Sequence, residues 1–226
     1  EGYVPVPEWR STYWHQQLKL LLVVYVDDFK MAGPRENMQQ GWNKIMKHIN
    51  MEKPRAVGRC LGCEHIESDA YNKNGNKVRK IKYDMQPFMK QCVQAYLDLA
   101  GKTIDELKPA KTPFLDETKL EESKEGSGNL SNIACKILMK ILYAARMARF
   151  DLLRAVSNLA SRITKWCRNC DRMLHRLICY INTTTHHSLV GFVGDSPDNV
   201  SLQLYSDADF AATLLTQDRH PESSLP

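Results

Sequence analysis

The feature that most constrains this chain is residues 18–33, LKLLLVVYVDDFKMAG. Seven apolar residues run unbroken from Leu20 to Val26, rich in Leu and Val, which is the composition of a strand buried on both faces. The run stops at two adjacent carboxylates, Asp27 and Asp28, and a fainter apolar alternation resumes at Phe29 and Met31 before Gly33 and Pro34. This pattern predicts an antiparallel hairpin with the two acids at its tip.

A rigid turn that presents carboxylates at the edge of a core suits hard divalent cations. Mg²⁺ or Mn²⁺ takes oxygen ligands, and in phosphoryl transfer such ions clamp the attacking and leaving oxygens. Asp-Asp is also an ordinary polar turn. The rest of the chain decides between the two.

At 226 residues, 43% apolar and 25% charged, the composition is that of a globular protein with a real core. The net charge of +5 is unevenly placed. Residues 131–180 carry ten Lys or Arg against only Asp151 and Asp171, which points toward a polyanionic partner or toward solvated faces of amphipathic helices. No apolar run approaches the roughly 20 residues of a membrane helix, so no membrane partner is expected. Seven cysteines, an odd number, read as reduced thiols in an intracellular protein, cytoplasmic or nuclear. The first methionine, Met31, lies beyond the Asp pair, and the chain reads as a piece of a longer protein.

In chain order, Pro34 opens a helix with Met38, Trp42, Ile45, Met46 and Ile49 at helical spacing, placed to cover the hairpin. A second hairpin follows, with β-like residues 56–66, an Asn74-Gly75 turn, and Val78, Ile81 and Tyr83 in alternation. Pro87 opens an amphipathic helix that Gly101 ends. Residues 103–130, with seven acids and a closing Gly-Ser-Gly, read as a solvated linker. Three helices are expected after it, with Asp151 and Asp171 as N-caps of the second and third. Residues 189–193 and 200–205 are expected to pair as a terminal hairpin running into Ser206-Asp207-Ala208-Asp209.

Several of these segments, in this order, resemble the reverse transcriptase of copia-type retrotransposon polyproteins. The matching stretches are Tyr25-Val26-Asp27-Asp28, Cys60-Leu61-Gly62 read as a strand, Lys111-Thr112-Pro113, residues 141–161, residues 175–181, and Ser206-Asp207-Ala208-Asp209-Phe210-Ala211. The resemblance spans about residues 18–211. It implies an α+β fold: the C-terminal part of a polymerase palm over residues 1–102, the acidic linker 103–130, a helical thumb and connection over 131–187, and the start of a ribonuclease H domain over 188–226. It also implies RNA-directed DNA synthesis, with Asp27 and Asp28 as catalytic Mg²⁺ or Mn²⁺ ligands. Tyr25 is then near the nucleotide or template, Leu61 and Gly62 support the primer, and Asp207 is a remnant of a ribonuclease H metal ligand. The implied partners are an RNA/DNA primer-template, deoxynucleoside triphosphates and an upstream polyprotein segment.

The departures are specific. Arg149-Phe150-Asp151 stands where the family has Arg-Pro-Asp. The family's first catalytic Asp lies well before the hairpin, and the only acids here before Asp27 are Glu1 and Glu8, neither in a matching context. The isolated chain is therefore expected to be inactive. A non-catalytic nucleic-acid-binding remnant is the competing reading. A zinc-dependent interaction module is a third, since Cys60/Cys63 and Cys167/Cys170 have Cys-x-x-Cys spacing with His65 and His175 nearby. The separation of about a hundred residues between the pairs argues against shared zinc. Trp42 and Trp166 read as core residues.

Overall fold

A computed structural model of the chain describes residues 1–116, 118, 120, 122, 124–194, 200, 201 and 203–205. Glu1–Val193 forms one unit and Gly194–Pro226 a second. The first unit is α+β, with two four-stranded antiparallel sheets and five α-helices among the described residues. No helix among them is long and apolar enough to cross a membrane.

The first sheet is a meander of β1 (Tyr3–Pro5), β2 (Thr12–His15), β3 (Leu20–Tyr25) and β4 (Asp28–Ala32). β3 and β4 are the expected hairpin, with Leu22 opposite Met31 and Tyr25 opposite Asp28. The strand is not buried on both faces, however. Leu20, Leu22 and Met31 pack inward, where Met38, Trp42 and Ile45 of α1 (Arg35–Met46) cover them. Val23 and Tyr25 emerge on the other face, 38% and 59% exposed. An unbroken apolar run conceals the period-two alternation that would have marked one face as outward. α1 sits close because Gly41 has no side chain: a Cβ there would lie 2.4 Å from the Leu20 side chain.

The second sheet contains β5 (Arg59–Cys60), β6 (Cys63–Tyr71), β7 (Lys77–Asp84) and β8 (Leu189–Val193). The β6–β7 turn holds Gly75 at φ +78°, and the Asn72 carboxamide oxygen accepts from the Asn74 and Asn76 amides. The expected partner of β8, residues 200–205, lies in part outside the described residues. β8 adds to β7, with Ile81 opposite Gly191, and the described residues 200, 201 and 203–205 form no strand. A long antiparallel partner already in place offers β8 a full ladder, which a short terminal hairpin cannot match.

α2 (Gln86–Ala100) runs from Pro87 in its first turn to Gly101, whose φ of +62° supplies the left-handed C-cap. α3 (Ser131–Met147), α4 (Leu153–Ala160) and α5 (Arg168–Thr183) follow. Tyr96 of α2, Ile137, Leu138 and Ile141 of α3, Val156 of α4, and Leu174, Leu177 and Ile178 of α5 are buried in one core, as is Trp166. The acidic segment between α2 and α3 is not a purely solvated linker. Leu107 and Ala110 are buried in that core, Leu115 and Leu120 pack on it, and the Ala110 amide donates to Thr183 Oγ1. Its apolar residues have no period, so composition alone hides their role as a strap along α5.

Neither expected aspartate N-cap is one. Asp171 lies inside α5 and ties down the chain just ahead of α3, accepting the Asn129 and Leu130 amides (2.6 and 3.0 Å) together with Trp166 Nε1 (2.7 Å). Asp151 takes both arms of Arg149 (2.9 and 2.8 Å) and the Tyr180 hydroxyl (3.0 Å). Arg149 is 1% exposed, and its remaining donors reach the carbonyl and hydroxyl of Thr184 at the end of α5. Burial works to raise the Asp151 carboxyl, but the hydrogen bonds and charge of Arg149 and the Tyr180 hydroxyl outweigh it and hold the group below its usual 3.8. A carboxyl held low stabilises the fold above that usual value, and the contribution is lost as pH falls through the folded value. Arg149→Met is expected to cost about 3 kcal/mol near neutral pH, because it strands a half-buried carboxylate. It should also flatten the loss of stability below about pH 4. Urea denaturation across pH checks both, and parallel acid limbs in the two proteins would contradict the assignment.

Candidate functional site

The β3–β4 turn is the shortest a hairpin allows. Tyr25 pairs with Asp28, leaving only Val26 and Asp27 between the strands. Val26 has φ +55°, a conformation that a β-branched residue adopts at a cost of about 1–3 kcal/mol. Positive φ at the first turn position and not at the second is the sign pattern of a type II′ turn, where glycine is the usual occupant. The Val26 side chain is 85% exposed, so no burial compensates it locally. The register of the β2–β3–β4 meander holds the turn in place instead. Asp27 and Asp28 are both exposed, and neither takes part in an ion pair among the described residues. By strand alternation Tyr25, Asp28 and Lys30 share the outer face of the sheet.

Leu61 and Gly62 lie at a second turn, not within a strand. Cys60 pairs with Cys63, and Leu61 and Gly62 are the two linking residues, at φ +50° and +76°. Positive φ at both positions is what a type I′ turn requires, and only the second is supplied by glycine. Both two-residue turns thus place a non-glycine residue in the left-handed region, as the β1–β2 and β2–β3 connections do at Glu8, Ser11 and Lys19.

These turns are joined through side chains that no motif announces. The Tyr143 hydroxyl of α3 donates to the Leu61 carbonyl at 2.5 Å. Its ring lies 5.4 Å from that of Phe88 on α2, and Lys140 Nζ sits 5.5 Å from the Phe88 centroid. Burial pushes the Tyr143 hydroxyl up, and Tyr25, Cys60 and Cys63 add to the effect, which places the Tyr25 side chain within electrostatic reach of Tyr143. Lys30 Nζ lies 3.2 Å from His65 Nε2, linking β4 to β6. His65 Nδ1 lies 3.1 Å from the Gly58 carbonyl, so the compatible tautomer carries its proton on Nδ1 and accepts from Lys30 on Nε2. The Lys30–His65 contact thus sets β4 beside β6, and Tyr143 holds the Leu61-Gly62 turn that opens β6. Asp207 lies outside the described residues.

The basic block divides into two halves. Arg149, Arg154, Arg162, Lys165 and Arg176 are engaged by Asp151, the Phe114 ring, Asn158, Glu125 and Thr112 respectively. Lys136, Lys140 and Arg146 remain on α3, and Arg168 and Arg172 near the start of α5, with no ion pair among the described residues. Lys136, Lys140 and Tyr143 follow one another at helical spacing along the outer face of α3. The signal for Tyr143 was present in the sequence as an aromatic residue in register with two lysines.

The two acids that precede the hairpin, Glu1 and Glu8, are placed apart from it in the sequence. Glu1 is engaged with His48 (2.6 Å) and Lys44 (3.7 Å), and Glu8 lies in the β1–β2 connection. Among the described residues no three His, Cys, Asp or Glu side chains are grouped to hold a metal ion. No protein-family model matches the chain, and neither a curated protein nor a solved structure matches it.

Replacing Val26 by glycine relieves the left-handed strain at the turn. Val26→Gly is expected to raise the unfolding free energy by about 1 kcal/mol, net of the entropy that glycine adds to the unfolded chain. Chemical denaturation measures it, and a loss of stability would mean that the turn is not strained.

Proposed function

We propose that this chain is the C-terminal palm and thumb of a copia-type reverse transcriptase, whose hairpin acids serve template-directed DNA synthesis. The observation that carries the proposal is the Lys30–His65 contact, which sets the strand that follows Tyr25-Val26-Asp27-Asp28 beside the strand that follows Leu61-Gly62. The strands carrying the segments that the resemblance pairs as catalytic turn and primer support touch at Lys30 and His65, thirty-five residues apart in the chain, which supports this reading. The basic and aromatic stripe of α3 leads to the Leu61 turn, which suits a nucleic-acid backbone approaching the acids.

Asp27 and Asp28 suit a divalent cation in one respect: they are exposed carboxylates without an ion pair among the described residues. When bound, Mg²⁺ supplies charge stabilisation at the transferring phosphoryl group. Two ions need carboxylates from more than one loop, so Asp27 and Asp28 are half of a site. The remaining acid is assigned to an upstream polyprotein segment, as the resemblance implies. The outward apolar face of the first sheet, with Val4, Trp14, Val23 and Tyr25 on it, is the surface such a segment would cover. Asp207 is assigned as a ribonuclease H remnant without hydrolytic activity of its own, and residues 188–226 as the start of that domain.

A second reading, nucleic-acid binding without chemistry, rests on the α3 stripe alone. One set of experiments separates the two. Binding to an RNA/DNA primer-template should weaken steeply with salt, and Lys136→Gln with Lys140→Gln should reduce the salt slope by about 0.9 per phosphate contact removed. Adding the upstream segment as a second polypeptide should produce Mg²⁺-dependent primer extension from deoxynucleoside triphosphates that Asp27→Asn abolishes. Salt-dependent binding with no extension supports the second reading, and extension unaffected by Asp27→Asn overturns the role of the motif.

A further inference from the structure

All seven cysteines are among the described residues and all are thiols. Cys167 and Cys170 differ from the others in how they are placed. Cys167 is the N-cap of α5, in extended backbone at φ −130° and ψ 174°, and Cys170 lies in the first turn of that helix. Their Sγ atoms are 3.6 Å apart, so forming an S–S bond needs only about 1.5 Å of further approach. Cys167 is half-buried, whereas Cys170 is 1% exposed inside the helical core.

The backbone of this turn is held from two sides. Trp166 is buried and its Nε1 donates to Asp171, the same carboxylate that accepts the Asn129 and Leu130 amides ahead of α3. Gly128 lies so close that a Cβ on it would be 2.4 Å from the Trp166 ring and 2.8 Å from the Cys167 carbonyl oxygen. The surroundings are also electropositive. Arg162, Lys165, Arg168 and Arg172 flank the pair in sequence, Asp171 and the more distant Glu125 being the facing acids, and the start of a 16-residue helix favours negative charge. Burial pushes the Cys170 thiol up to about 11, with the charge of Arg162 acting against that rise. The result is asymmetric: an outer thiol at a helix start, and an inner thiol kept protonated behind it.

We propose that Cys167 and Cys170 form a redox-active dithiol that exchanges with low-molecular-weight disulfides, with Cys167 as the attacking sulfur and Cys170 as the resolving one. The Cys167 thiolate attacks one sulfur of oxidised glutathione, forming a mixed disulfide and releasing one glutathione thiolate, which takes up a proton. Cys170 then loses its proton and attacks Cys167 Sγ, releasing the second glutathione. One dithiol and one external disulfide become one internal disulfide and two external thiols, so the electrons balance. The proposal is independent of the polymerase reading, because neither cysteine touches the hairpin site.

The test treats the full chain with oxidised glutathione under anaerobic conditions, blocks remaining thiols with iodoacetamide and digests with trypsin. Cleavage after Arg168 separates the two cysteines, so an internal disulfide is read as a linked pair of peptides, 166–168 joined to 169–172. The wild type should yield that linked pair with release of two glutathiones. Cys170→Ser should stop at a stable glutathione adduct on Cys167, while Cys167→Ser should leave Cys170 unmodified until the protein is denatured. Exposed Cys135 reports that the reagent is active. Two carbamidomethylated peptides from a wild type whose Cys135 has reacted would overturn the proposal, and so would a persistent adduct on wild-type Cys167. Adduct formation on Cys170 in Cys167→Ser would reverse the assigned roles.

Discussion

The helical part of the molecule closes around one buried cation. Arg149 emerges just past α3, where the chain turns toward α4, and all three of its guanidinium nitrogens are bonded, to the carboxylate of Asp151, the Thr184 carbonyl and the Thr184 hydroxyl. A guanidinium out of water is costly unless its fork is fully matched. Here the matching group is a carboxylate that also accepts from Tyr180, so the end of α3, the start of α4 and the end of α5 are fixed by one set of bonds. α3 in turn carries Lys136, Lys140 and Tyr143, and Tyr143 holds the turn at Leu61. The seating of the basic stripe beside the Leu61 turn thus depends on a residue that touches neither.

The two turns at the site share a physical character. Each is a two-residue link between antiparallel strands, and each places a branched aliphatic residue, Val26 or Leu61, in backbone that favours glycine. Strain of this kind persists only where the surrounding ladder over-determines it. For Val26 that ladder is the meander of the first sheet, and for Leu61 it is the β5–β6 pairing reinforced by the Tyr143 hydroxyl. The outcome in both cases is a fixed tip instead of a mobile loop. A fixed tip is what carboxylates require if they are to hold an ion without paying for ordering at each binding event.

Much of the fold is legible in the sequence, and the misses have definite causes. The hairpin at Asp27, the covering helix with Trp42, the Asn74-Gly75 turn and the Pro87-to-Gly101 helix all follow from local period and turn chemistry. The strand at residues 20–25 misleads because an all-apolar run removes the alternation that marks an outward face. The strap at Leu107 and Ala110 misleads because acidic neighbours mask apolar residues without a period. Asp151 and Asp171 stand where N-caps are expected, yet their partners, Arg149, Trp166 and the start of α3, are fixed by tertiary packing. At the site, Tyr25, Asp27 and Asp28 are readable as a motif, whereas Tyr143 and the Lys30–His65 contact are visible only once α3 and β6 are in place.

The claim on which the functional account rests is that the exposed carboxylates at the hairpin tip take a divalent cation in preference to the acidic residues elsewhere. Paramagnetic broadening by Mn²⁺, read from the amide resonances of the whole chain, tests this directly. The account predicts that the amides of residues 25–29 broaden first as Mn²⁺ is added, with Gly62 next among the site residues, and that Asp27→Asn removes the effect there while leaving others unchanged. Broadening that begins in the acidic segment 103–125 and reaches the hairpin no earlier than other exposed carboxylates would contradict it.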